Sequence, residues 1–201
     1  MKDAPTPPGV DAWEPWSPRV IADHLASLSI PWSVVGGYAI DLFLGRNTRD
    51  HADLEIAILR EDFSTVSTAL SPLVPHSAGN GVVTYLGSSA PPDNIRQIWM
   101  LDDVTQKWRV DVMLEPGDSN TWIFRRNTEI TLPREEMTGR RDNIPYLMPE
   151  GALLYKAKAR REKDEADFAA CLVSMSQLQK ERLAAMLSVE YPDSPWIRWL
   201  G

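Results

Sequence analysis

Residues 32–58, WSVVGGYAIDLFLGRNTRDHADLEIAI, carry a glycine pair between an apolar run and a short helical stretch, followed by two carboxylates that alternate with apolar side chains. The run at 32–35 reads as a strand and 38–43 as a helix, so Gly36 and Gly37 fall where strand turns into helix. Without Cβ atoms they let backbone N–H groups at the helix start face a phosphate. Residues 51–59 read as a second strand, on which Asp53 and Glu55 share one face while Leu54, Ile56 and Ile58 share the other and enter a core. Two carboxylates on one face repel each other unless a cation offsets them, and a hard divalent ion such as Mg²⁺ takes such donors.

A third acid extends the pair. In KWRVDVML, residues 107–114, Val110, Val112 and Leu114 share one face and Arg109, Asp111 and Met113 the other, so Asp111 stands alone among apolar neighbours. A buried carboxylate is costly unless it is paired or holds a metal ion. If this strand lies beside the first acidic one, Asp53, Glu55 and Asp111 meet on one face and hold one or two Mg²⁺ ions, which bridge the phosphates of a nucleoside triphosphate. The chemistry expected of such a site is in-line attack of a hydroxyl on the α-phosphorus with pyrophosphate leaving, and Asp111 is the candidate general base. The plain alternative is that Asp53 and Glu55 line the solvated face of an edge strand.

Composition narrows the partners. With 201 residues, 43% of them hydrophobic, the chain can build a sizeable core as one domain or one domain with an appendage. No apolar run approaches the roughly 18 residues of a spanning helix, and the opening MKDAPTPPGVDAWEPW lacks a signal-peptide core, so a cytoplasmic protein without membrane contact is expected. The single cysteine, Cys171, excludes an internal disulfide and a cysteine-built zinc site, and in DFAACLVSM it reads as core. A net charge of −7 argues against nucleic acid and tilts the partner toward a cation.

Along the chain, residues 1–16 read as an extended, proline-rich arm packed through Trp13 and Trp16. Ser17-Pro18 caps a helix whose apolar face is Val20, Ile21, Leu25 and Leu28. A further helix is expected from Arg60 to about Leu70, a turn at 79–81, strands at 82–86, 95–101, 107–114 and 121–126, and a turn at Asp102-Asp103. Composition shifts near Pro133, beyond which 153–170 and 176–189 read as helices, with the Trp196/Trp199 tail docking on the body. The expected division is therefore an arm at 1–16, a core at 17–132 and a helical region at 133–201.

The segment GGYAIDLFLGRNTRDHADLEI resembles the signature of the polymerase-β-type nucleotidyltransferase superfamily, nearest its aminoglycoside 2″-adenylyltransferase-like branch. The resemblance covers the whole chain. It rests on Gly36-Gly37, Thr48-Arg49-Asp50-His51, the Asp53/Glu55 pair, Asp111 on a later strand, and the ending IPYLMPEGALLYKAKARREKDEADF. It implies an α+β fold, a small mixed β-sheet nucleotidyltransferase core flanked by helices, with a helical C-terminal part closing an acceptor cleft. It also implies that a lysine of the helix after residue 153, Lys158 or Lys156, reaches the triphosphate. Arg49 reads as a further phosphate ligand and His51 as fixing the loop or an acid, or both simply as surface loop residues. The departure from the common pattern is Glu55, where the superfamily usually carries aspartate; its extra methylene moves the carboxylate by about a bond length.

The function these features favour is Mg²⁺-dependent transfer of AMP from ATP to a hydroxyl of an aminoglycoside-like aminocyclitol. A protein-directed transferase of antitoxin or AMPylating type could use the same site, and a nucleotide-binding relic could keep the fold with its metal geometry compromised by Glu55. Lys156, Lys158, Arg160, Arg161 and Lys163 read equally as a solvated helix face paired with Glu162, Asp164, Glu165 and Asp167. Asp102, Asp103, Glu115 and Asp118 are candidates for an acidic acceptor pocket, or simply exposed turn acids.

Overall fold

The computed structural model describes residues 7–79 and 81–201. The first six residues of the expected arm, and Asn80 of the expected 79–81 turn, lie outside the described residues. The chain opens with α1 (Pro18–Leu25), β1 (Trp32–Val34), α2 (Gly36–Leu44) and β2 (Glu55–Leu59). A 3₁₀ turn (Arg60–Asp62) then leads into α3 (Phe63–Ala69). Next come β3 (Val74–Gly79), β4 (Val82–Tyr85), β5 (Gln97–Asp102), β6 (Lys107–Glu115), β7 (Thr121–Ile123) and β8 (Thr131–Pro133). A hairpin of β9 (Thr138–Arg141) and β10 (Ile144–Leu147) precedes α4 (Pro149–Lys156), α5 (Glu162–Ser174), α6 (Gln177–Glu190) and α7 (Ile197–Leu200).

Eight strands form one mixed sheet in the order β4-β3-β5-β6-β2-β1-β10-β9, with β7 and β8 paired separately. The β2–β6 and β1–β10 pairs are parallel and the rest antiparallel. Ile56 and Ile58 of β2 and Val110, Val112 and Leu114 of β6 bury one face against α1 and α3, through Ile21, Leu25, Phe63 and Val66. Apolar side chains of the C-terminal helices, including Leu153, Phe168, Leu183 and Trp196, gather with Trp122, Phe124 and Ala57 into a second core on the other face. Helices on two sides of one sheet bury β2 on both faces from Ile56 to Leu59, which is why that stretch is apolar throughout.

Several elements differ from expectation. The strand expected at 51–59 begins only at Glu55, because the N-terminal arm occupies the place beside β6 that its first half would take: Trp108 N donates to Ala12 O, Glu14 N to Trp108 O and Trp16 N to Arg109 O. Asp53 is thus in the approach to β2 rather than on it. The helix expected at 153–170 is two helices: Arg160 takes a positive φ of 43°, and the Arg161 N–H donates to Asp164 Oδ2 to start α5 afresh. The strand expected at 121–126 stops at Ile123. The strands β3, β8, β9 and β10 are additional, and β9 and β10, beyond residue 133, complete the main sheet through Val34 opposite Tyr146. The division expected at 132/133 therefore falls ahead of two strands that belong to the same sheet as β1. No helix among the described residues is long and apolar enough to cross a membrane.

Candidate active site

Parallel pairing of β2 with β6 sets Glu55 directly opposite Asp111, and Asp111 N donates to Leu54 O at 2.8 Å, so the chain just after Asp53 is pinned to the same strand. Asp111 is 2% exposed. Its Oδ2 accepts from Gln97 Nε2 at 2.9 Å, Oδ1 is buried without a well-formed hydrogen bond among the described residues, and the Trp99 indole lies near enough to favour the charged form. Burial pushes the Asp111 carboxyl well up, the neighbouring Glu55 charge adds to this, and the Gln97 hydrogen bond opposes it. Glu55 is raised for the same two reasons, first burial and then Asp53, with Lys156, Arg125 and Lys163 pulling it down.

These residues fit a hard divalent cation in donor type and in register. A buried carboxylate oxygen without a well-formed hydrogen bond, beside a second carboxylate that raises its pKa, is an arrangement a cation would relieve. Among the described residues no three His, Cys, Asp or Glu side chains already converge as a metal-ligand group. Mutual repulsion of like charges in a dry setting favours that separation.

Gly36 adjoins the acids. It opens α2 at φ +66°, and a Cβ there would overlap Glu55 Oε2. No side chain caps the first turn of α2, so its amides remain open to an anion. Gly37 is small for a different reason: a Cβ would meet the His51 ring and, at 2.7 Å, Arg49 Nη2. His51 fixes an acid, as one of its two expected roles has it. Its Nε2 lies 2.7 Å from Asp41 Oδ2, donating in the tautomer that an acceptor-only carboxylate selects. Asp41 Oδ1 also accepts from Thr48 N and Thr48 Oγ1, so one buried carboxylate ties the 45–51 loop to α2. Asp41 carries no signal beyond its place as the sixth residue of an apolar helix.

A cleft of about 270 Å³ opens beside Glu55, lined by Gly36, Met113, Glu115, Arg125, Arg126, Tyr155, Lys156, Lys158 and Arg161 among others. It is rich in cations at the site where sequence offered few. The Arg125-Arg126 doublet sits just past the end of β7, so it turns inward as loop where a strand was expected to carry it along an edge. Lys158 is exposed at the cleft mouth, whereas Lys156 is 8% exposed and engaged: its Nζ lies 2.8 Å from Asp167 and 3.4 Å from Asp164. Arg49 is not in the cleft lining; it grips Asp167 through Nε at 3.4 Å and Nη2 at 3.2 Å. Arg49, Lys156, Arg161, Asp164 and Asp167 thus form an ionic network, with Lys156, Asp164 and Asp167 buried and Arg161 exposed, joining the loop before β2 to α4 and α5. Asp102, Asp103 and Asp118 serve turns, but Glu115 is buried in the cleft wall with Arg134 Nη1 at 3.5 Å from its Oε2.

The family model described as aminoglycoside-2″-adenylyltransferase matches residues 19–170, which takes in both acidic segments, the glycine pair and α4. The chain belongs to the aminoglycoside-2″-adenylyltransferase family. It is accordingly a nucleotidyltransferase. The fold agrees with two solved structures of the resistance factor ANT(2″)-Ia. The crystal structure in complex with adenylyl-2″-tobramycin shares 17% identity at a TM-score of 0.53, over 85% of this chain and 94% of that one. The solution structure shares 16% at a TM-score of 0.51, over 87% and 90%. No curated protein matches the sequence. The expected α+β core with its helical C-terminal part is the architecture observed, and the family match extends through α4 into α5 but leaves the N-terminal arm outside.

Proposed function

We propose that this adenylyltransferase-family protein moves AMP from ATP to a hydroxyl of an aminoglycoside, with Asp53, Glu55 and Asp111 as the acidic centre. The observation that carries the reading is the register of Glu55 against Asp111, at the edge of a cation-lined cleft that begins at Gly36. Mg²⁺ held by Asp53, Glu55 and Asp111 would supply neutralisation of phosphate charge and lower the pKa of the attacking hydroxyl.

The remaining work falls to side chains and backbone. Amides of Gly36 and Gly37 at the start of α2 face the phosphates, and Arg125, Arg126, Lys158 and Arg161 supply positive charge along the cleft. Lys156 and Arg49 act at one remove, holding α4 and the loop before Asp53 together through Asp167. The acceptor oxygen forms a bond to the α-phosphorus as the bond to the β-phosphate oxygen breaks. The hydroxyl proton passes to Asp111, whose Oδ2 is held by Gln97, and pyrophosphate leaves. A polyamine acceptor is favoured by the chain's net charge of −7, with the cleft's cations reserved for the nucleotide.

The test is to incubate the protein with ATP, Mg²⁺ and a panel of aminoglycosides and to weigh the acceptors. The expected result is an acceptor heavier by one adenylyl group, absent with Asp53→Ala. An unchanged panel, with adenylylation appearing on a co-purified protein, would replace this reading with a protein-directed one.

A further inference from the structure

Two side chains of β5 converge on Asp111, and neither lines the cleft. Trp99 lies directly opposite Asp111 in the β5–β6 register and Gln97 opposite Met113, so alternation along β5 sends both to the face that carries Asp111. Gln97 reaches across the diagonal, and its Nε2 donates to Asp111 Oδ2 at 2.9 Å. The Trp99 Nε1–H is buried, as is Asp111 Oδ1, and neither makes a well-formed hydrogen bond among the described residues. A donor-only indole and an acceptor-only carboxylate on opposed residues suit each other, and the indole lies near enough to favour the charged form. The Trp99 ring is held from two sides, by Trp13 of the arm edge-on at 5.2 Å and by Trp108 at 5.4 Å. Trp13 precedes residues 19–170, so this clamp is built partly from sequence outside the family match.

Resting on the nucleotidyl-transfer reading above, we infer that Gln97 and Trp99 are positioning residues that fix the Asp111 carboxylate for the transfer step, one donor to each oxygen. A carboxylate free to turn about its Cβ–Cγ bond sweeps its lone pairs over a wide arc. Two donors remove that freedom, and of the roughly four lone-pair sites on an ionised carboxylate about two remain for a cation and for the acceptor's proton. Donors that orient an acid in this way act through it, and their loss costs about ten- to a hundredfold in metal affinity or rate. If the two residues only packed, an apolar side chain of similar volume would serve as well at either position.

The experiment uses the full chain as wild type, Gln97→Met and Trp99→Phe, each variant removing one donor and keeping apolar bulk in its place. Aminoglycoside-dependent pyrophosphate release, read at a temperature where all three are folded, separates kcat from the KM for ATP. The electron paramagnetic resonance signal of free Mn²⁺ measures metal binding without turnover. Each variant is expected to lose at least about tenfold in kcat with the KM for ATP within about twofold, and to bind Mn²⁺ at least about threefold more weakly. A kcat within about twofold of wild type in either variant, or a loss confined to KM, overturns the inference and leaves the nucleotidyl-transfer reading intact. If wild type releases no pyrophosphate with any aminoglycoside, that reading fails by itself. Mn²⁺ binding unchanged in both variants then overturns the inference as well, and weaker binding in both upholds the placing of Asp111.

Discussion

At the scale of single residues, the two neighbouring glycines separate into two roles. Gly36 needs its missing Cβ both for a φ of +66° and for the Glu55 carboxylate lying against it, whereas Gly37 needs it for the His51 and Arg49 side chains. Gly36→Ala is therefore expected to lower kcat at least about a hundredfold, by displacing Glu55, and to cost about 1–2 kcal/mol in a urea melt. The sequence marked the pair but could not apportion it, because the φ value and the approach of Glu55 are tertiary. The two lysines near the cleft divide in the same way. Lys156 is buried between Asp164 and Asp167, so Lys156→Met should lose about 3 kcal/mol of stability by leaving buried charge short of a partner. Lys158→Ala should leave the melting temperature within error and raise the KM for ATP severalfold. Helical spacing alone placed both lysines on a charged stretch; what distinguishes them is the break after α4, set by the left-handed Arg160 and the Arg161–Asp164 start of α5.

At the scale of elements, the arm explains why β2 is short. Alternation at 51–59 was a true signal from Leu54 onward, where Leu54, Ile56 and Ile58 are all buried. Ahead of it the hydrogen bonds of Trp108 and Arg109 go to the arm, and a local pattern cannot say which of two segments will pair with a third. Trp13 of the arm meets Trp99 edge-on at 5.2 Å and Trp108 at 6.4 Å, and Trp99 is the cross-strand neighbour of Asp111. Trp13→Ala should cost about 2–3 kcal/mol, below the 3–5 of a fully buried aromatic because Trp13 is half-buried, and denaturant titration will measure it. The contact between α4 and α6 carries a pH dependence. Glu150 is fully buried, with Arg182 Nη1 at 3.8 Å, and burial raises it from an ordinary 4.5 to about 7. The folded state then holds a proton that the unfolded state gives up, so the contribution of Glu150 to stability is greatest below pH 4.5, falls as pH rises toward 7 and levels off above. Glu150→Gln should accordingly stabilise the protein at pH 8 by at most about 2–3 kcal/mol and match wild type near pH 4 in thermal melts. Arg182 keeps Glu136 as a partner in that variant.

At the scale of the molecule, the part of the fold that was legible is the part written in short-range pattern: α1, β1, α2, the buried half of β2, α3, β4, β5, β6 and α6. What was not legible is long-range pairing. The hairpin of β9 and β10 follows a proline and carries charged residues, yet it extends the sheet beside β1, because Ile144 and Tyr146 join Val34 in the core against α1 and α3. The candidate site divides along the same line. Each acid could be picked out from its own segment, and their adjacency required the parallel β2–β6 pair, a crossover that passes through α3, β3, β4 and β5. The cations came from loops, where periodicity carries no information. The central claim is that Glu55 and Asp111, set opposite each other by that pairing, serve the transfer of a nucleotidyl group. The most direct test is the rate of aminoglycoside-dependent pyrophosphate release from ATP and Mg²⁺ in wild type and in Asp111→Asn and Glu55→Gln, each checked for a wild-type circular dichroism spectrum. The account predicts measurable release by wild type and a loss of at least about a hundredfold in both variants. Release that either folded variant sustains within a few-fold of wild type would contradict it.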